Sequence, residues 1–187
     1  SGELAYEIAV PARYGDAMIR AMMAAGEELD LTPYGTEALG VMRIEKGHVA
    51  GNELNGQTDA RMIGLGNMVS RKKDFIGAAL LDRPEQVRED GLQLVGLRPI
   101  DQDVILTAGA HFFVEGDPED MAHDQGWMTS VAYSPELGHS IGLGFLKRGR
   151  DRHGERLRAF SPIRGQDVMV EVCSPHHIDP EGDRQRG

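Results

Sequence analysis

The sequence predicts an α+β chain of two units, a mixed helical and extended first part and a small antiparallel β-barrel after it. Three observations carry that expectation. Helical spacing with cap signals dominates the first part. A charged stretch with Pro84 and Gly91 breaks the pattern at residues 82–91. Beyond it, short apolar runs recur at regular intervals, with Gly, Pro, Asp and Asn between them. The units are accordingly placed at 1–84 and 91–187, with the charged stretch as linker.

In chain order, Tyr6, Ile8 and Val10 alternate with Glu7 and Ala9, the pattern of a half-buried strand. Pro11 opens a helix that runs to about Leu29, with Ile19, Met22, Met23 and Leu29 as an imperfect apolar stripe. At helical spacing, methionine reads as core filler before it reads as a binding groove. Thr32-Pro33 restarts the chain toward a second helix, in which Thr36 can act as N-cap, Leu39 and Met42 share a face, and Gly47 is the stop. Residues 52–58 read as a polar loop and residues 74–81 as a capped short helix. The later strands are expected at 92–97, 104–107, 110–115, 126–133, 141–146, 155–160 and 168–173, and residues 116–124 as a surface excursion. The basic residues of 147–158 are interrupted by Asp151 and Glu155 and read as a solvated hairpin.

A formal charge of −10 argues against nucleic acid and anionic membrane surfaces as partners. No apolar stretch approaches the roughly 18 residues needed to span a bilayer. The single Cys173 excludes an internal disulfide and fits a reducing, cytoplasmic compartment; in its strand-like run it reads as a small buried side chain. Gly64-Leu-Gly66 and Gly142-Leu-Gly144 lack the third glycine of a dinucleotide fingerprint, and no Walker A sequence occurs. Only His176 and His177 adjoin among the histidines, and neighbours point apart, so no metal site is expected. Ser134-Pro135 and Ser174-Pro175 are turn chemistry.

Arg43 sits in the last turn of the second helix, one step round from Leu39 and Met42. Spacing alone leaves two readings open, a solvated cation that complements the helix dipole or a ligand-binding cation. Glu3, taken alone, is an exposed acid at a strand end.

The wording of these segments adds to that reading. Val41-Met42-Arg43-Ile44-Glu45-Lys46-Gly47 resembles the Leu-Arg-Leu-Glu-x-Gly segment of the T-protein (aminomethyltransferase) family. Gly2-Glu3-Leu4-Ala5-Tyr6-Glu7-Ile8 resembles that family's Gly-Glu-x-Gly-aromatic-Glu-Ile, with Ala5 where many members have glycine. Lys72-Lys73-Asp74-Phe75-Ile76-Gly77 is similar to its Lys-x-Asp-Phe-Ile-Gly, and Thr129 to Pro135 with Ile141 to Gly144 to its C-terminal barrel. The opening Tyr34-Gly-Thr-Glu-Ala-Leu-Gly40 and the ending from Ser174 to Arg184 resemble the α subunits of heterotetrameric sarcosine oxidases more than the glycine cleavage enzyme.

The resemblance implies the C-terminal part of a T-protein-like folate-binding domain followed by the barrel. It implies pterin-binding roles for Glu3 and Arg43, since a carboxylate accepts paired hydrogen bonds from the 2-amino and ring N–H groups while a guanidinium serves the carbonyl or a neighbouring acid. It also implies a reaction. Sarcosine is oxidatively demethylated to glycine with release of hydrogen peroxide, and tetrahydrofolate takes up the one-carbon unit as 5,10-methylenetetrahydrofolate. FAD, FMN and NAD belong to the parent complex outside this region, and the other oxidase subunits are partners. No catalytic residue is assigned, because the acid nearest the one-carbon chemistry lies in the preceding half of the family's domain. Two alternatives remain, an aminomethyltransferase with a lipoyl-carrier partner and a non-catalytic scaffold of folate fold. The chain by itself is expected to be inactive and to self-associate through the unpaired strand at residues 6–10.

Overall fold

The structure, a computed structural model, describes residues 3–186. A short helical part precedes a closed six-stranded antiparallel barrel. The helical part contains α1 (Gly15–Ala25) and α2 (Thr36–Glu45). The barrel contains β1 (Leu92–Pro99), β2 (His111–Phe113), β3 (Gly126–Ser134), β4 (His139–Lys147), β5 (Arg156–Ser161) and β6 (Gln166–Cys173). Around the barrel the strands run β1-β4-β3-β2-β5-β6. Closure removes the open edges that a sheet of this size would otherwise present.

Two apolar clusters share the strands between them. Val95, Leu97, Phe112, Met128, Leu146, Leu157, Val170 and Val172 fill the barrel interior. Leu94, Ile141, Leu143 and Phe145 form a second cluster with Ile44 of α2, backed by Val49, Met62 and Trp127. Successive residues such as Leu94 and Val95, or Phe145 and Leu146, therefore serve opposite faces of the sheet. β4 is covered on both faces, which explains why its sequence reads as a continuous apolar run without polar alternation. Gly144 is part of that packing: a Cβ there would lie 2.9 Å from a Leu97 methyl and 3.0 Å from the Phe112 ring. The Gly142-Leu-Gly144 pair is thus occupied by core contacts.

Several local expectations are corrected. Residues 6–10 form no strand and pair with nothing among the described residues, and Tyr6 is 83 % exposed in place of the half-buried strand the alternation predicts. Alternation supplies a strand's faces, and a ladder partner must supply its hydrogen bonds. The helix expected from Pro11 to Leu29 is three pieces, a 3-10 turn at Ala12–Tyr14, then α1, then a turn at Glu27–Leu29. The break falls at Gly26, whose N–H closes on the Met22 carbonyl and whose own carbonyl accepts from Leu31. No residue of α1 is buried, so Met22 and Met23 are not core. Residues 104–107 form no strand. There Leu106 is held by its buried side chain and by its N–H on Ser140 Oγ at 3.1 Å. The short helix of 74–81 is a 3-10 turn at Ala78–Asp82, preceded by Gly77 in the left-handed region with φ of 91°. Residues 82–91 lack long elements as expected, yet they are tied down: Arg61 donates to the carbonyls of Leu81 and Gln86.

After β6 the chain crosses the C-terminal end of α2 as a strap. The N–H groups of His177 and Ile178 both donate to the Glu45 carbonyl, and Lys46 Nζ meets Asp179 Oδ2 at 2.5 Å in a largely buried pair. Gly47, at φ of 75°, lets the strap pass closely, since a Cβ would lie 2.6 Å from the Pro175 carbonyl oxygen. Beneath the strap, His177 Nε2 donates to the Gly142 carbonyl at 3.1 Å. Burial pushes the His177 imidazole down to about 4 from 6.5, against the smaller upward pull of that hydrogen bond. The unfolded chain therefore takes up a proton between those values that the folded chain refuses, and stability falls as pH falls. Between pH 6.5 and 5, above most carboxylate titration, the loss should reach about 2 kcal/mol. Urea midpoints measured across that range should show it. His177→Gln should flatten the slope to the residue left by His48, whose pKa burial also lowers.

Candidate functional site

The site is built where α2, the turn after it and β3 meet. Gly35, extended at ψ of 179°, is the N-cap of α2 in place of Thr36, whose backbone is already helical and whose hydroxyl caps nothing. Gly47 ends the helix as expected, with the His48 N–H returning to the Arg43 carbonyl at 2.8 Å. Ile44 anchors α2 in the outer apolar cluster, which carries Arg43 alongside toward the barrel wall.

Arg43 is not the solvated cation that complements a dipole. Its side chain is 20 % exposed, and Nη1 contacts Glu53 Oε2 at 2.9 Å. Nη1 also reaches the His48 carbonyl at 3.3 Å, and Nη2 donates to Ser130 Oγ at 2.7 Å. A guanidinium carries five N–H donors. These contacts engage three, leaving the Nε hydrogen and one on Nη2, two near-parallel donors able to meet a pair of acceptors.

Glu53 is the centre of this arrangement and is 0 % exposed. Oε1 accepts from Thr129 Oγ1 and Ser130 Oγ, each at 2.6 Å, and Oε2 from the Ala50 N–H and Arg43, each at 2.9 Å. In a regular strand Thr129 and Ser130 would face opposite sides of the sheet. They reach one oxygen because the β3–β4 register shifts between Met128 and Ser130, a bulge that aims both hydroxyls at Glu53. Burial alone would raise the Glu53 pKa. The hydrogen bonds from Ser130, Thr129 and Ala50, together with the Arg43 charge, outweigh it and hold the carboxyl below its usual range. Nothing in the sequence singled Glu53 out. It falls in the polar stretch 52–58, and the hydroxyls that bury it lie 76 and 77 residues away.

Glu3 occupies a different place. It is exposed, pairs with Arg184 of the strap at 3.3 Å, and lines a cavity of about 210 Å³ with Met42, Glu45, Lys46 and Asp179. The structure thus brings Glu3 beside α2, whereas the Arg43 guanidinium is directed at Glu53 and Ser130, and no hydrogen bond joins Glu3 to Arg43. A larger open cavity of about 1120 Å³ lies between residues 55–67, residues 83–93 and the end of the β3–β4 hairpin, lined by Trp127, Met62, Arg61, Lys147 and Asp59 among others. There Asp59 Oδ1 accepts the Met62 N–H, while its buried Oδ2 has no protein partner among the described residues.

Other chemistry is poorly supplied. No group of His, Cys, Asp and Glu among the described residues could hold a metal ion. Burial pushes the Cys173 thiol up to about 11, so it stays protonated and a poor nucleophile. No helix among the described residues is long and apolar enough to cross a membrane.

Comparisons with known proteins agree with this organisation. Residues 1–73 match the GCVT N-terminal domain, and residues 93–179 match the glycine cleavage T-protein C-terminal barrel domain. The chain is 43 % identical over 185 residues to the sarcosine oxidase α subunit of Rhizobium meliloti (strain 1021), covering 98 % of this chain and 19 % of that protein. It is 40 % identical over 190 residues to the corresponding subunit of Corynebacterium sp. (strain P-1), covering 100 % and 19 %. An aminomethyltransferase of Desulforamulus reducens is 33 % identical over 149 residues, 79 % of this chain and 39 % of the enzyme. The chain therefore spans about a fifth of the sarcosine oxidase subunits it matches. The crystal structure of the glycine cleavage system aminomethyltransferase T from Bartonella henselae superposes with a TM-score of 0.70 at 20 % identity, over 91 % of this chain and 45 % of that one. At that identity the likeness speaks for the fold.

Removing one partner of a buried, hydrogen-bonded ion pair strands the other, so Glu53→Ala should cost about 3–5 kcal/mol in a urea titration. The wild-type contribution is present above the ordinary glutamate value of 4.5 and is lost as pH falls through the lowered folded value. A Glu53→Ala chain as stable as the wild type at neutral pH would contradict this geometry.

Proposed function

Because the chain belongs to the glycine cleavage T-protein family and is homologous to the C-terminal region of sarcosine oxidase α subunits, we propose that it forms part of a tetrahydrofolate site in such an oxidase. The observation that carries the reading is the fixed Arg43 guanidinium, which keeps two parallel donors after its protein contacts are counted. The ring carbonyl oxygen of a reduced pterin has two lone pairs to offer such a pair. Glu3 supplies the complementary recognition, a carboxylate for the 2-amino and ring N–H groups. Its present partner Arg184 is an exposed ion pair that exchanges at little cost.

In this proposal sarcosine is oxidised elsewhere in the enzyme, with glycine and hydrogen peroxide as products. Tetrahydrofolate captures the one-carbon unit as 5,10-methylenetetrahydrofolate. The iminium formed by oxidation is already electrophilic, so the residues of this chain need only bind and orient the folate and keep its nitrogens out of water. FAD, FMN and NAD are assigned to other parts of the complex. The Gly142-Leu-Gly144 pair does not supply a dinucleotide cradle here, since Gly144 is packed against Leu97 and Phe112.

In the assembled oxidase, Arg43→Ala should weaken tetrahydrofolate binding by about 1–3 kcal/mol, the usual range for hydrogen bonds to a charged group. Calorimetric titration measures it, alongside peroxide release from sarcosine without folate. Folate affinity should fall much further than oxidation. Equal losses in both would contradict a folate role. An assembly without flavin that depends on a lipoyl carrier would point instead to aminomethyl transfer.

A further inference from the structure

Building on the folate reading of Arg43, we propose that Glu53 is the positioning and specificity-determining residue of the site: it fixes the Arg43 guanidinium plane and cancels its charge, so that the site selects a neutral carbonyl acceptor over a free anion.

The geometry carries the positioning. An arginine side chain near a surface ordinarily samples many rotamers. Here Nη1 is held by Glu53 Oε2 and Nη2 by Ser130 Oγ, and that hydroxyl donates in turn to Glu53 Oε1. The far edge of the fork is therefore closed in a ring through one carboxylate and one hydroxyl. Glu53 cannot swing to follow a moving arginine, because Thr129 Oγ1 and the Ala50 N–H hold its two oxygens from other directions. Only the edge formed by Nε and the remaining Nη2 hydrogen is left to a ligand.

The charge carries the specificity. Glu53 is fully buried and held ionised by its donors, so the pair has no net charge. An anion arriving at Arg43 meets the Glu53 carboxylate a few ångströms behind it and gains little. A neutral carbonyl oxygen, with its two lone pairs, still gains two directed hydrogen bonds.

Two measurements test this, one without folate. In the ligand-free chain, 15N spectra of the arginine guanidinium groups should show separate, slowly exchanging Arg43 Nη signals that average in Glu53→Gln. Averaged signals already in the wild type would overturn the positioning role whatever the ligand is. In the assembled oxidase, Glu53→Gln should weaken tetrahydrofolate binding by about tenfold, the scale of one charge-assisted hydrogen bond. It should also make inorganic phosphate a competitor, while the wild type should show no competition. In an Arg43→Ala background the same substitution should add nothing, whereas a merely structural role would multiply the two losses. Multiplied losses, or unchanged affinity and phosphate sensitivity in Glu53→Gln, overturn the proposal. Should Glu53→Gln fail to fold, Ser130→Ala opens the same ring from its other side and should give the same spectral averaging and the same absence of further loss without Arg43. If Arg43→Ala leaves folate binding intact while the spectra behave as stated, the folate reading fails and the positioning of Arg43 stands.

Discussion

One buried carboxylate holds this structure's two parts in register. Glu53 draws together the end of α2 through Arg43, the turn after it through the Ala50 N–H, and β3 through Thr129 and Ser130. Moving an ionised carboxylate out of water is expensive, and the cost is offset here only because each oxygen has two donors. Every one of those donors must be in place at once. The β3 bulge, the left-handed Gly47 and the seating of Ile44 in the outer cluster all serve that requirement.

The barrel supplies the rigid wall. Its interior cluster sets the strand positions, and the double burial of β4 gives α2 and the segment around Met62 an apolar surface to dock on. The strap then crosses the end of α2, so the helix is gripped from the core side by Ile44 and from the far side by Asp179 and His177. A helix whose last turn is held from two sides can present Arg43 with little loss of side-chain freedom on binding. By contrast, α1 and residues 4–10 make no comparable contacts and leave Leu4, Tyr6, Ile8 and Ile19 exposed.

The barrel was legible in the sequence because its strands are short, apolar and separated by turn residues, all of them local signals. Six of the seven expected strands there are present within a few residues. The seventh, at 104–107, has the right composition, but its polar contact runs to a side chain, Ser140, and no ladder forms. Arg43 was legible as a position through its helix and through resemblance, but its buried partner was not. Glu53 differs from the other glutamates only in what folds over it, and that depends on a bulge across the barrel. Glu3 illustrates the converse: its motif is readable, while its placement beside Arg184 depends on where the strap finishes.

A crystal structure of the assembled enzyme with a bound tetrahydrofolate analogue is the most direct measurement. The predicted result is the ring carbonyl oxygen within hydrogen-bond distance of Arg43 Nε and Nη2, with Glu53 still buried against Thr129, Ser130 and Ala50. A ligand bound away from Arg43, or an Arg43 that has left Glu53 to reach it, would contradict the claim that this carboxylate sets the site.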